Sequence, residues 1–182
     1  MACITKLAGG FGYDCDTGAT GIESAFIVNK EDIASFTFGT SAISATIVSS
    51  VTLKSGAKAF KIDTPKRTLV VTESLKTNEG APNALSFSAS LTITSADNAT
   101  LRSGVLRAMP NGSFILFTKE ANGTYRVYGL YYGLSATAYD RTTHDNGAWI
   151  TVSMETPEQF IGEDSLQLES SVYATMYGAA EY

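Results

Sequence analysis

A strict alternation of apolar and hydroxyl residues near the middle of the chain constrains its fold more than any other feature. Residues 85–94 place an apolar side chain at every odd position and Ser or Thr at every even position. Successive side chains of a strand point to opposite faces of a sheet. The pattern therefore predicts an antiparallel strand with one face on a hydrophobic core and the other face in solvent.

Other segments of the chain have the β-branched and aromatic composition of strands. They are residues 25–29, 43–53, 58–63, 68–74, 114–120, 124–134, 134–139 and 149–155. Asn122-Gly123 lies between two of them, and Asn-Gly between apolar runs is the strongest short-range signal for a β-hairpin. A polar loop is predicted for residues 140–147.

The hydrophobic period changes once, after residue 94. Leu101, Val105, Leu106 and Met109 follow helical spacing, and Pro110-Asn111-Gly112 ends the pattern. We therefore predict one α-helix over about residues 96–109. Strands, one helix and further strands do not alternate as a parallel α/β sheet requires. The predicted fold class is a mainly β protein, an antiparallel β-sandwich or barrel with one flanking helix and extended terminal arms.

The two ends of the chain differ from this central region. Residues 1–22 are rich in Gly and show no periodicity, which predicts an extended N-terminal arm. Residues 23–161 then form the β-sandwich domain, and residues 162–182 form an acidic C-terminal segment that docks on neighbouring molecules. A further strand is allowed over residues 172–177.

Composition indicates one ordered domain without a membrane anchor. The 182 residues are 44% hydrophobic and 17% charged, which is typical of a folded domain with little surface charge. We find neither the roughly 20 apolar residues of a membrane helix nor a signal-peptide core. The expected place of synthesis is therefore the cytoplasm, where Cys3 and Cys15 are expected to be free thiols rather than a disulfide.

Charge is distributed asymmetrically along the chain. The net charge is −5, all 13 Lys and Arg residues lie at or before Arg141, and only acidic charges follow it. One interpretation is a solvated acidic face that keeps the protein soluble, and another is a surface that repels polyanions. Nucleic-acid binding would require the opposite, a cluster of Lys and Arg for phosphate contacts.

The sequence offers no catalytic, cofactor or metal site. His144 is the one histidine, and no nucleophile motif accompanies it, so we interpret it as an exposed loop residue. Two cysteines and one distant histidine do not make a zinc site. Residues 14–18 resemble the start of a calcium loop, but the later oxygen ligands are missing. We therefore predict no enzyme activity.

Tyrosines crowd the predicted hairpin and the C-terminal segment, a distribution that suits core packing, subunit contacts or carbohydrate stacking. Core packing is the favoured interpretation for the hairpin, whereas contact with a neighbour is favoured for the tail. The predicted self-assembly residues are Phe11, Tyr13, Tyr128, Tyr131, Tyr132, Tyr173 and Tyr177.

The hairpin Asn122-Gly123-Thr124-Tyr125-Arg126-Val127-Tyr128-Gly129-Leu130-Tyr131-Tyr132-Gly133-Leu134 resembles small virion structural proteins of phages that infect Bacteroidetes. Asn146-Gly147-Ala148-Trp149 and Met154-Glu155 add to this resemblance, as do Cys15, Gly21-Ile22, Asn29 and Asp32-Ile33 near the start. The order of strands and helix is also similar to that of phage tail-tube proteins. The resemblance implies stacked rings, usually hexameric, around a DNA channel.

This resemblance gives the acidic residues a role. Carboxylates that line a channel repel the DNA backbone over about 8–10 Å, so that DNA passes without specific binding. The expected channel-facing acids are Glu155, Glu158, Glu163 and Asp164. The implied partners are further copies of the chain and other virion proteins, with no membrane. The implied location is the virion, after synthesis in the host bacterial cytoplasm.

Two alternatives remain at this point. A head-decoration or tail-connector protein of a phage has the same kind of composition. A carbohydrate-binding or adhesin-like β-sandwich would instead use exposed tyrosines and Trp149 to stack on sugar rings.

Overall fold

The protein is mainly β in the part of the chain that the structure, a computed structural model, describes. The described residues are 21–40, 46–63, 68–94, 107–144 and 147–181. The strands are β1 Ile22–Asn29, β2 Ile33–Phe38, β3 Ile47–Leu53, β4 Ala59–Ile62, β5 Val70–Lys76, β6 Ala84–Ile93, β7 Ser113–Glu120, β8 Tyr125–Tyr128, β9 Leu134–His144, β10 Gly147–Glu155 and β11 Leu166–Leu168. Further elements within the described residues are the 3-10 turns Lys30–Asp32 and Met109–Asn111 and the helix α1 Ser170–Ala179.

The strands join in one mixed sheet with the order β2-β3-β11-β8-β7-β9-β10-β6-β5, and β1 pairs with β7 and β4. Strand β7 joins two halves of this sheet: one consists of β2, β3, β11 and β8, and the other of β9, β10, β6 and β5. It pairs with β1 on one side, and on the other side with β8 and then, through Ser113 and Phe114, with β9. The described strands do not close into a barrel.

The first core lies between the two halves of the sheet. Strand β6 contributes Phe87, Ala89 and Leu91, and β7 contributes Phe114 and Leu116. The buried side chains of β6 are the odd-numbered ones, while Ser and Thr occupy the opposite face. The predicted alternation of residues 85–94 is thus confirmed.

The second core lies on the opposite face of β7, beneath helix α1. Phe117 of β7 stacks on Phe26 of β1, with ring centroids 4.6 Å apart. Tyr173 of α1 packs against Phe26 at 5.2 Å and its hydroxyl lies 2.9 Å from Ser24 Oγ. Met176 of α1 also belongs to this core. Strand β7 is consequently buried on both faces, by the other half of the sheet and by the helix.

The C-terminal segment folds differently from the strand allowed for residues 172–177, and that prediction was wrong. Tyr173, Met176 and Ala180 are buried at helical spacing along α1 and the residue after it. The segment 162–182 therefore packs on its own protomer through β11 and α1. Tyr182 lies outside the described residues.

The predicted hairpin of β7 and β8 is confirmed, but its second strand is shorter than expected. Strand β8 ends at Tyr128, a loop spans residues 129–133, and β9 then extends to His144. The polar loop predicted over residues 140–147 is strand at residues 140–144 and 147, because β9 and β10 pair there, and residues 145–146 lie outside the described residues. Tertiary pairing here overrides a polar composition.

The helix predicted over residues 96–109 and the N-terminal arm lie almost entirely outside the described residues. Strands β2 and β11 were not predicted. The sheet is also not purely antiparallel as predicted, because β11 pairs in parallel with β3.

The burial of β7 generates a test. We expect Leu116→Ala to lower the free energy of unfolding by about 2–5 kcal/mol, because the removed methyl groups leave a cavity in the first core. The matched control is Leu75→Ala, since Leu75 is 67% exposed, and its effect should stay within about 0.5 kcal/mol. Urea denaturation measures both changes, and equal losses would contradict the assignment of the core.

Candidate functional site

The loop between β8 and β9 has the sequence Gly-Leu-Tyr-Tyr-Gly and a backbone that requires both glycines. Gly129 and Gly133 have φ angles of 79° and 76°, in the left-handed region that L side chains disfavour. The Gly133 amide donates a hydrogen bond to the Gly129 carbonyl at 2.8 Å, which closes the loop. A Cβ atom at Gly133 would also overlap the Ser113 hydroxyl. The loop therefore presents its two central tyrosines in one defined conformation.

A buried carboxylate holds this loop. Glu163 is 4% exposed, and its two side-chain oxygens accept the backbone N–H groups of Tyr131 and Tyr132 at 3.0 and 3.2 Å. The main chain of Glu163 exchanges two hydrogen bonds with Leu85 of β6, at 2.9 and 3.1 Å. Glu163 thus connects the loop to the other half of the sheet.

The charge of Glu163 is poorly compensated. Burial raises the pKa of its carboxyl above the ordinary value of 4.5. The loop N–H groups and the positive charge of Lys30 act in the opposite direction, but burial dominates. No salt bridge to Glu163 is present among the described residues. Burial is also the main cause of the raised pKa of Tyr131.

Five half-buried aromatic rings form a continuous surface around this loop, which we call the aromatic cluster: Phe36, Phe38, Tyr131, Tyr132 and Phe160. Tyr131 lies 5.6 Å from Phe36 and 6.4 Å from Phe38, measured between ring centroids. Tyr132 stacks on Phe160 at 4.4 Å and lies 6.5 Å from Tyr131. Contiguous, partly exposed aromatic rings are characteristic of surfaces that bind another molecule.

The structure divides the predicted self-assembly residues between the surface and the interior. Tyr131 and Tyr132 belong to the aromatic cluster. Tyr128 is instead buried in the first core, where it packs edge-on against Phe87 at 5.3 Å. Tyr173 is buried in the second core.

The remaining predicted self-assembly residues are Tyr177, Phe11 and Tyr13. Tyr177 is half-buried, stacks on Tyr173, and carries the Lys61 ammonium 5.0 Å above its ring centroid. Phe11 and Tyr13 lie outside the described residues. Tyrosines on the same segment therefore serve different purposes, and core packing accounts for Tyr128 and Tyr173.

The predicted channel acids also lie in different environments, three at the surface and one in the interior. Glu155 and Glu158 are exposed and line an open groove of about 450 Å³ beside Lys76. The Lys76 ammonium donates to the backbone carbonyl of Glu158 at 2.8 Å. Asp164 is exposed, whereas the burial of Glu163 places its carboxylate inside the protomer, where it holds the tyrosine loop.

Sequence reasoning missed three members of the aromatic cluster, Phe36, Phe38 and Phe160. Phe36 and Phe38 are spaced by two residues with Thr37 between them, the spacing of one strand face. That signal was available in the sequence. Phe160 follows no periodic pattern, and only the tertiary fold brings it to Tyr132.

Comparison with known proteins adds no relative, since no family model, curated protein or solved structure matches the chain. In the ranges that the structure describes, no group of three or more His, Cys, Asp or Glu residues is placed to hold a metal ion. A search of the same ranges finds no helix with the length and apolarity needed to cross a membrane. Inferences about function therefore rest on sequence and geometry.

The raised pKa of Glu163 predicts a specific pH dependence. The folded state holds the proton more tightly than the unfolded state, so the associated stability is complete below about pH 4.3 and is lost as pH rises through the folded pKa. We expect wild type to lose stability relative to Glu163→Gln as the pH rises above about 4.3. Urea denaturation across this rise in pH measures the difference.

The matched control for this test is Asp164→Asn, which makes the same chemical change at the exposed neighbouring position. Its stability should follow that of wild type over the same pH range. Parallel curves for wild type and Glu163→Gln would contradict the assigned pKa shift.

The glycine geometry predicts opposite effects at two positions. Gly133→Ala should destabilise the protein by more than about 1 kcal/mol, because of its positive φ and the overlap with Ser113. Gly178→Ala should stabilise it by roughly 0.5–1 kcal/mol, since Gly178 lies in α1 and a Cβ there meets no atom within 4 Å. Thermal denaturation of both variants measures the effects. An unchanged stability of Gly133→Ala would contradict the requirement for glycine at position 133.

Proposed function

We propose that the protein is a phage virion structural protein, most specifically a tail-tube subunit that assembles into stacked, hexameric rings. The sequence resemblance of the hairpin supplies the family. The structural observation that supports self-assembly is an edge strand, β2, that carries no charge and has no covering segment among the described residues.

Strand β2 has no charged residue among Ile33–Phe38 and pairs only with β3 within the described residues. Ala34, Ser35 and Thr37 are exposed along it. Two register shifts interrupt its pairing with β3, and bulges are one of the devices that protect an edge. The other common devices, Lys, Pro and a covering segment, are absent from β2 in the described residues. An edge with these shifts as its only such protection is still suited to pairing with another chain.

A second edge of the sheet, at β4, is covered. Strand β4 is covered by the chain's own C-terminal segment, where the Lys61 amide donates to the Glu181 carbonyl at 2.7 Å. The Lys58 ammonium lies 2.8 Å from the Glu181 carboxylate. Among the described residues, a segment of the chain thus covers the β4 edge and none covers β2.

The other end of the strand order is β5, which pairs only with β6 among the described strands. It carries two exposed apolar side chains, Val70 at 54% and Leu75 at 67%. Contact between β2 of one copy and β5 of the next joins two different surfaces. Such heterologous contacts produce rings or open helical assemblies rather than closed dimers.

Exposed acidic side chains would give the proposed channel a negatively charged surface. Glu155, Glu158 and Asp164 are available at the surface for a channel, whereas Glu163 is not. Their repulsion of the DNA backbone acts over about 8–10 Å at physiological ionic strength. DNA is then a passing cargo and not a bound ligand.

The proposal predicts that a charge on the β2 edge blocks assembly. Ser35→Lys should abolish rings or tubes in negative-stain images and leave a folded monomer in sedimentation, because a strand that pairs there would bury the ammonium. Thr52→Lys is the matched control, since Thr52 is exposed and pairs with Ser35 but lies on the interior strand β3.

The control variant should assemble like wild type, and both variants should unfold within about 0.5 kcal/mol of it. Assembly of Ser35→Lys at the wild-type level would exclude the β2 edge as the contact. A wild-type chain that stays monomeric at all concentrations and salt conditions would overturn the proposed function.

A further inference from the structure

We propose that residues 1–20 of one copy bind the aromatic cluster of a second copy stacked head to tail on the first. This inference rests on the proposed self-assembly and names the contact that joins successive layers. It follows from the position at which the N-terminal segment leaves the domain and from the surface at the opposite end.

The exit point lies far from the aromatic cluster. The Gly21 carbonyl accepts a hydrogen bond from the Ala121 amide at 2.9 Å, just beyond the end of β7. The tyrosine loop lies at the other end of β7, where Leu134 follows the loop and pairs with Phe114. Seven residues of extended strand separate Ala121 from Phe114, which is roughly 23 Å.

The direction of β1 places Gly21 at the end of the domain opposite to the protomer's own cluster. Strand β1 is antiparallel to β7, with Ile22 opposite Glu120 and Asn29 opposite Phe114. The N-terminal segment is therefore attached at the end of the domain that lies away from the cluster. A copy placed head to tail beyond that end presents its aromatic cluster to the incoming segment.

The segment has the length and composition for this contact. Twenty residues reach at most roughly 66–72 Å, so the segment has the length to contact the cluster of either copy, and the crosslinking experiment below distinguishes the two. They include the apolar side chains Ile4, Leu7, Phe11 and Tyr13, separated by small residues. Aromatic and aliphatic side chains on an extended segment are suitable partners for a surface of five half-buried rings.

Glu163 makes the receiving surface rigid before the segment binds. Its two hydrogen bonds to Tyr131 and Tyr132 fix the loop, and Tyr132 in turn stacks on Phe160. A surface that is already ordered loses less conformational entropy on binding. The buried carboxylate thus acts as a positioning residue for the docking surface.

Photo-crosslinking of the full chain tests the contact. One preparation is ¹⁵N-labelled and carries p-benzoylphenylalanine in place of Phe11, and it is mixed with unlabelled wild-type chain and irradiated. Mass spectrometry should find labelled N-terminal peptides joined to unlabelled peptides that contain Tyr131, Tyr132 or Phe160. Tyr132→Ser in the unlabelled chain should lower the yield about tenfold, as for an aromatic hot spot.

Tyr139→Ser is the matched control, because Tyr139 is an exposed tyrosine outside the aromatic cluster, and its yield should equal that of wild type. Circular dichroism checks the fold of each variant, and Phe160→Ser replaces Tyr132→Ser should the latter not fold. Rings or tubes without these crosslinks, or with crosslinks only within one copy, overturn this inference and leave the proposed function standing. A chain that stays monomeric overturns both.

Discussion

The fold depends on the burial of both faces of one strand. Strand β7 packs Phe114 and Leu116 into the first core and Ile115 and Phe117 into the second. A strand in this position must be apolar at consecutive residues, and the sequence Phe-Ile-Leu-Phe satisfies that requirement. Because β7 also pairs with β1, β8 and β9, the two cores and both halves of the sheet meet at this strand.

Local patterns predicted the parts of this arrangement that local interactions determine. The alternation along β6 and the Asn-Gly turn before β8 each encode their structure within a dozen residues, and both predictions were confirmed. Helix α1 was missed because its sequence is a weak helix former. It contains Val172, Thr175 and Gly178, and no side chain caps its N-terminus. Its stability comes from packing Tyr173 and Met176 on the second core, which a local pattern does not show.

The aromatic cluster illustrates a different limit of sequence reasoning. Its rings come from β2, from the loop after β8 and from the segment after β10, so more than a hundred residues separate Phe36 from Phe160. Burial divided the predicted tyrosines, since Tyr128 and Tyr132 would share a face of a continuous strand, yet Tyr128 is buried and Tyr132 is half-buried. Strand β8 ends at Tyr128, so the alternation does not extend into the loop of residues 129–133. A sequence pattern predicts which face a residue occupies only as long as the element continues.

The chemistry of Glu163 explains why an acid occupies a buried position beside an aromatic surface. Two consecutive N–H groups of a tight loop need two acceptors side by side, and a carboxylate provides both with a single side chain. An amide would offer one oxygen and present a second donor to the other N–H group, and an apolar residue would leave both donors unsatisfied. Desolvation of the charge is the cost of this arrangement, and it appears as the raised pKa. Tyr131 and Tyr132 are half-buried and do not belong to a fully buried core. We therefore attribute the buried carboxylate to the conformation of the surface that the loop presents, and not to packing of the interior.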